Sequence, residues 1–451
     1  EVLGSCQEEM WALARPARGA APGALKYDID LCDDAGMICV RFKGFSFKVV
    51  EQGPQNAATP EAPAILLAQP VWTAGHQGRR NVAPDRRLVV MCGMGPAADW
   101  AHRFRDAEIH AIDAGVDDHR HAGVAESALA LVRAELQERR HHSGAGSGAG
   151  PGRVLIQFVA ADPLLAMLAG LARVLAREHS RVTAQVVVVA ATGSDIVSQV
   201  NASAQHADDA DDVLVRHTAG MVEIRQWQPV PESNEPLKLP WREGGVYLLT
   251  GGAGALATLF AREILGRLRH VTLVLAGRSV LDEDLSARLD NLARSAIYPG
   301  GARIDYVCVE LAQADSVDAL AGAIRARHGR LDGVLHCAGV VRDNFIPAKT
   351  GAELRAVFDP KVAGLLNLER ACAALAPDFV VLFSSIASAL GNAGQADYAM
   401  ANAFLDAYAA GRNPQRRTLS INCPLWREGG MAPDAGTERW MTENTGLVPL
   451  P

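Results

Sequence analysis

Short unbroken runs of apolar residues alternate with longer stretches in which Leu, Val and Ala recur every three or four positions. The first pattern belongs to strands buried on both faces of a parallel sheet, the second to helices with one apolar stripe. From residue 241 onward the rhythm predicts strands at 246–250, 271–276, 304–309, 333–337, 379–384 and 418–422, with helices between them. From 65 to about 231 it is looser. Strands are expected at 87–92, 154–159 and within 184–191, and helices over 124–140 and 163–178.

The ends of these blocks read differently. Two alternating runs, 26–32 and 37–44, flank a tight Asp-Asp-Ala-Gly turn and predict a β-hairpin. Residues 52–64 lose all periodicity and read as a linker, and 141–152, rich in Gly, Ser and Ala, reads as a flexible surface insertion. His141 and His142 are then expected to be solvated loop residues. The predicted class is α/β, with two tandem Rossmann-like doubly wound units behind a short β-hairpin segment. The corresponding divisions are 1–51, a linker at 52–64, 65–236 and 237–451.

Composition narrows the function. The 451 residues are 49% hydrophobic and 21% charged, a soluble globular balance sufficient for two or three domains. A net charge of -7 leaves no basic surplus for nucleic acid, and no apolar run is long enough to span a bilayer. The eight cysteines form no Cys-x-x-Cys pair, so neither a metal site nor dithiol chemistry is expected, and a cytoplasmic location fits. A start at Glu1 without Met or signal peptide, and an end at Pro451, suggest a piece of a longer polypeptide.

The predicted strand 246–250 runs into Gly252-x-Gly254-x-x-Ala257, which opens a helix. Uncapped amides and a partial positive charge at such a helix start suit a pyrophosphate. The same spacing occurs at Gly93-x-Gly95-x-x-Ala98, but no catalytic set follows there, so that copy reads as structural. Arg278 ends the next strand, where a guanidinium can pair with the 2′-phosphate of NADP; the alternative is an exposed turn residue. Glu310 is open to two readings, an acceptor for the adenine amine or a solvated carboxylate. The small residues of His336-Cys-Ala-Gly339 leave room for a nicotinamide ribose.

Reducing a ketone needs a proton donor for the forming alkoxide. Tyr398 is the candidate acid, Lys361 the cation that makes a phenol of ordinary pKa about 10 effective, and Ser385 a hydrogen-bond donor to the carbonyl oxygen. Asn402 lies one helical turn beyond Tyr398 on the same face, placed to hold a water. Singly, each has an ordinary reading: a packing Tyr, a solvated Lys after Pro360, a capping Ser. Together they describe hydride transfer.

These residues resemble the ketoreductase domain of modular polyketide synthases, within the short-chain dehydrogenase/reductase superfamily. The likeness rests on Thr250-Gly-Gly-Ala-Gly-Ala-Leu256, Ala276-Gly-Arg278-Ser279, His336-Cys-Ala-Gly-Val340, Asp359-Pro-Lys361-Val-Ala-Gly364, Leu382-Phe-Ser-Ser385 and Gly394-Gln-Ala-Asp-Tyr398-Ala-Met-Ala-Asn402. Most of the superfamily carries its lysine four residues after the tyrosine. Asn402 stands there here, with Lys361 upstream, as in polyketide and animal fatty-acid ketoreductases. The resemblance implies a truncated structural subdomain (65–236) and a catalytic one (237–451) binding NADPH through Thr250, Gly251, Gly252, Gly254, Ala255, Leu256, Arg278, Ser279, Glu310, Leu311, Cys337, Ala338, Gly339, Lys361, Tyr398, Pro424 and Leu425.

The substrate implied is a β-ketoacyl chain on the phosphopantetheine arm of an acyl carrier protein, contacted by Asp343, Leu390, Gln395, Trp426 and Met431. Trp426 and Met431 resemble residues of a mobile lid, continued by a helix at 437–444, and are equally readable as packing residues. Asp343 alone is kept from the Leu-Asp-Asp found in B-type, D-alcohol-forming members, where this chain has Val341-Arg342-Asp343; Leu390 replaces the tryptophan of the A type. This form resembles synthases served by separate acyltransferases. Residues 1–51 resemble the end of a dehydratase domain without its catalytic motifs. Two alternatives stay open: a silent or epimerising scaffold, and a stand-alone carrier-protein reductase.

Overall fold

The computed structural model describes residues 3, 11–16, 25–33, 37–47, 65–75, 84–115, 120–143, 152–190, 195–207, 213–218, 220–231, 238–412, 417–426, 438–439 and 448–450. The predicted linker 52–64, Met431 and most of the predicted helix 437–444 lie outside the described residues. The chain divides into a unit of Glu1–Ile65 and a unit of Leu66–Pro451.

In the first unit, β1 (Trp11–Pro16), β2 (Leu25–Cys32) and β3 (Ile38–Phe47) form an antiparallel sheet in that order. β2 and β3 are the predicted hairpin; β1 is an addition that the sequence pattern does not announce. It is tied to β2 by Arg15, which joins Arg41 (2.7 Å) in pairing with the buried Asp30.

The second unit holds two sheets. The first contains β4 (Ala68–Ala74), β5 (Arg86–Cys92), β6 (Glu108–Ile112), β7 (Val154–Ala160), β8 (Val182–Val188), β9 (Leu214–Thr218) and β10 (Met221–Pro229), ordered β4-β10-β9-β8-β7-β5-β6. β6 through β9 in that order run parallel, whereas β10 and β4 are antiparallel additions. β4 lies at the edge, where Pro70 forfeits no ladder bond. Behind β5 the repeated Gly93–Ala98 spacing leads only to a single turn, Ala98–Ala101, rather than to a full helix.

Two sequence expectations are corrected here. The helix Arg120–Ser143 includes His141 and His142, so they are not loop residues; the glycine run that ends helical spacing begins only at Gly144. The predicted helix 163–178 starts as a 3-10 turn, Pro163–Met167, capped by Asp162, and becomes an α-helix over Leu168–Glu178.

The second sheet, β11 (Gly245–Thr250), β12 (Val271–Gly277), β13 (Ala302–Cys308), β14 (Gly333–His336), β15 (Phe379–Ser385) and β16 (Arg417–Cys423), is wholly parallel and ordered β13-β12-β11-β14-β15-β16. Tyr247, Leu248 and Leu249 are completely buried, the reason their run is unbroken rather than alternating. Chain direction across the sheet reverses between β11 and β14, which opens a crevice at their C-terminal ends.

The two sheets share one core. The helix Ala396–Ala410 packs against Leu168–Glu178 so closely that a Cβ on Gly170 would lie 2.4 Å from the Ala399 carbonyl carbon. Met400 and Phe404 bury themselves in the same cluster as Leu168 and Leu171. The helix bearing Tyr398 is therefore held from both halves. Among the described residues, no helix is long and apolar enough to cross a membrane.

Candidate active site

The strand ends that form the crevice are linked directly. Thr250, last in β11, is in register with His336, last in β14, and its Oγ1 lies 2.9 Å from His336 Nδ1. Burial, reinforced by Lys361, pushes the His336 pKa down to about 3, so the ring is neutral and serves as a strut. It is not a base.

After Thr250 the chain turns through Gly251, whose φ is +67°, into Gly252. A Cβ at Gly252 would meet Leu275 Cβ at 2.7 Å and the Ala276 nitrogen at 2.8 Å, so only a bare backbone passes. The helix Ala255–Leu265 then begins at Gly254 with no side-chain cap, leaving the amides of Ala255 and Leu256 open. These features fit a dinucleotide pyrophosphate. Gly252→Ala is expected to cost about 1–3 kcal/mol of stability and to weaken cofactor binding at least about tenfold, because rigid backbone would have to move. Thermal unfolding and a nicotinamide-fluorescence titration check both.

Beside the turn, a cleft of about 380 Å³ is lined by Arg278, Glu310, Gln313, Arg342 and Pro360, among others. It brings together the predicted Arg278 and Glu310. The Arg278–Ser279 turn is pinned by the Tyr306 hydroxyl, which donates to the Ser279 carbonyl at 2.8 Å. Leu311 sends its side chain into the core instead.

Lys361 reaches the site by a local irregularity. Between the helices Gly351–Phe358 and Gly364–Cys372 the chain makes one π-helical turn, Asp359–Ala363, where Pro360 has no amide hydrogen to donate. Lys361 is only 3% exposed, against the solvated alternative. Its Nζ donates to the Phe383 carbonyl at 2.9 Å and stands 5.6 Å from the centroid of the Tyr398 ring. Burial lowers its pKa from 10.5 to about 8, with Cys337, Asp406 and Cys423 opposing the shift. Gly339 is the floor beneath it: a Cβ there would lie 2.8 Å from Lys361 Cε.

Ser385 both caps and faces the site. Its Oγ accepts from the Ala387 amide (3.2 Å) at the start of Ile386–Leu390. Ser384 donates instead to the Asn402 carbonyl, so the second serine alone fits the donor role. Tyr398 occupies the first turn of Ala396–Ala410; burial raises its phenol pKa, while Ser385 and Asn402 beside it pull the other way. Asn402 is completely buried. Its Nδ2 donates to the Tyr398 carbonyl at 2.8 Å, and its Oδ1 has no hydrogen-bond partner.

Comparison with known proteins identifies the family and the fold. The KR domain profile covers residues 245–428. A ketoreductase domain from the bacillaene assembly line superposes with a TM-score of 0.74 at 32% identity, over 86% of this chain and 91% of that one. The chain belongs to the ketoreductase family of polyketide synthases. Across its full length it is 34% identical to polyketide synthase PksN of Bacillus subtilis and 35% identical to polyketide synthase ThaG of Burkholderia thailandensis. It spans only 8% of each of those relatives. The fold is that of an oxidoreductase using a nicotinamide cofactor.

Gln395 Nε2 donates to Asp343 Oδ2 at 3.3 Å, which joins two of the predicted residues. Asp343 is close enough to Tyr398 to raise the phenol pKa slightly further. Leu390 is 46% exposed at the end of Ile386–Leu390. Pro424 and Leu425 follow β16, and Trp426 pairs with Leu450 in an isolated bridge while its ring lies 6.4 Å from Phe260.

Sequence reading missed the supports beneath this site. Asp406, on the same helix face as Tyr398 and Asn402, accepts hydrogen bonds from Ser388 (2.7 Å), Ser420 (2.6 Å) and Asn422 (2.8 Å). Asn422 also donates to the Ser385 carbonyl at 3.2 Å, so β15, β16 and the helix are locked together. Glu178, from the other half, accepts from the amides of Ile346 and Gly394, both at 2.9 Å. The spacing of 398, 402 and 406 was the available signal for Asp406; nothing local marks Glu178.

Proposed function

We propose that this domain reduces the ketone of a β-ketoacyl thioester to a β-hydroxyacyl thioester with NADPH. The observation carrying this reading is the convergence of Lys361, Ser385 and Asn402 on Tyr398 beside the dinucleotide turn. The reduced nicotinamide, when bound, supplies a hydride. Ser385 donates a hydrogen bond to the ketone oxygen, and Tyr398 gives its phenolic proton to the oxygen as it gains charge. The unpartnered Oδ1 of Asn402 is suited to a water that returns that proton.

We read the acyl chain as carried on the phosphopantetheine of an acyl carrier protein, and the product as the D alcohol of B-type members, from Asp343 and Leu390. Residues 1–51 are read as the end of a dehydratase-like domain, and the parent as a synthase served by separate acyltransferases. The subdomain assignments of 65–236 and 237–451 belong to the same reading. The test is NADPH and NADH consumption with a small β-ketoacyl thioester, followed by chiral chromatography of the alcohol. An L product would overturn the B-type assignment. Cofactor binding without turnover would favour the silent or epimerising scaffold.

Preference for NADPH is assigned to Arg278 in the cleft with Glu310. Arg278→Ala is expected to weaken NADPH binding about 10- to 100-fold, through loss of charge-assisted hydrogen bonds, and to leave NADH nearly unchanged. Parallel titrations of the two cofactors decide it.

A further inference from the structure

Lys349 and Asp397 are both completely buried and form an ion pair in which Lys349 Nζ lies 3.0 Å from each carboxylate oxygen. Asp397 immediately precedes Tyr398, and its Oδ1 also accepts from the Tyr398 amide at 2.9 Å. Lys349 Nζ makes one further bond, to the carbonyl of Arg342. That carbonyl sits in the loop after β14, one residue before Asp343. The loop touches the start of the Tyr398 helix twice more, through Asn344 N to Gly394 O (2.9 Å) and Gln395 Nε2 to Asp343 Oδ2 (3.3 Å).

An ordinary core does not need this arrangement. A buried ion pair contributes little net stability relative to apolar side chains of the same volume, because both charges are stripped of water. What it does provide is a fixed distance. The ammonium has three hydrogens, and the two carboxylate oxygens and one carbonyl use all of them. Neither the loop nor the helix start can move without leaving a buried charge unmatched. Glu178 from the other half accepts from Ile346, just after the loop, and from Gly394, just before the helix, so one carboxylate ties both segments together.

We propose that the Lys349–Asp397 pair is a positioning device that sets the Val341–Asn344 loop, and with it Asp343, at a fixed place relative to Tyr398. It thereby governs which face of the ketone is presented and how well the carbonyl oxygen meets the phenol. This rests on the reductase reading. Lys349 and Asp397 act through Asp343 and Tyr398 and do not touch substrate.

The test compares Lys349→Arg, Lys349→Met and the double variant Lys349→Met/Asp397→Leu, the last leaving no unmatched charge. Each is measured for NADPH affinity, kcat and KM with a β-ketoacyl thioester, the D-to-L ratio of the alcohol, and amide hydrogen exchange over residues 340–348. The double variant is expected to bind NADPH within about threefold of wild type while kcat falls about 30-fold or more, as misplacement by an ångström does elsewhere. Its product ratio erodes, and its loop amides exchange about tenfold faster. Lys349→Arg, which keeps the charge, recovers most of the ratio. A folded double variant with wild-type kcat, ratio and loop exchange overturns the proposal and leaves the pair merely structural. If the wild-type chain itself reduces no thioester, the reductase reading falls, and the exchange data still decide whether the pair tethers the loop.

Discussion

Phenylalanine in place of Tyr398 lowers turnover of a β-ketoacyl thioester by about a thousandfold or more, since it removes the positioned acid while keeping the ring. Burial raises the phenol pKa, so the hydroxyl is protonated at neutral pH and ready to donate. The ring itself packs against the core shared by both halves and is retained by the substitution. Asn402 Nδ2 also bonds the Tyr398 carbonyl at 2.8 Å, a support the substitution leaves in place. Cofactor affinity should therefore change little while kcat collapses. Stopped-assay kinetics beside an NADPH titration separate the two. A variant that keeps a tenth of wild-type turnover would falsify the assignment of Tyr398 as the acid.

Loss of the Lys361 ammonium has the second large effect, and it has a pH signature. Burial brings its pKa from 10.5 to about 8, so the charged form dominates below that value and disappears above it. kcat/KM should fall as pH rises through about 8. Lys361→Met should lower activity about 100-fold or more at pH 7 and abolish that basic limb. Stability runs the other way. Between pH 8 and the ordinary 10.5 the unfolded chain binds a proton that the native lysine has released, so unfolding free energy rises across this window, by at most about 3 kcal/mol. The methionine variant lacks the rise. Denaturant unfolding at pH 7.5 and 10 distinguishes the two proteins; equal changes in both would sink the buried-ammonium account.

The parallel sheet was legible because strands such as β11 lie in the middle and are buried on both faces, which writes them as continuous apolar runs. β1 escaped notice for the opposite reason: a short edge strand leaves only a weak alternation. The helical spacing of Tyr398 and Asn402 was visible locally, whereas Lys361 and Ser385 were candidates by side-chain chemistry, and only packing brings them beside the phenol. Lys349 reads in sequence like any surface lysine. Its partner Asp397 lies 48 positions away, and only packing brings the two together with no water between them.

By itself, then, the order of residues determined the α/β class, the glycine turn after β11, and the identities of the phenol, hydroxyl and amide groups available for chemistry. Periodicity and backbone sterics act over a few residues, so these properties are written locally. Tertiary structure alone decided that Lys361 is buried by a π-helical turn, that Asp406 and Glu178 brace the site, and that the Tyr398 helix is gripped from both halves. Burial and electrostatic pairing depend on which distant side chains meet, and that is settled only when the core closes.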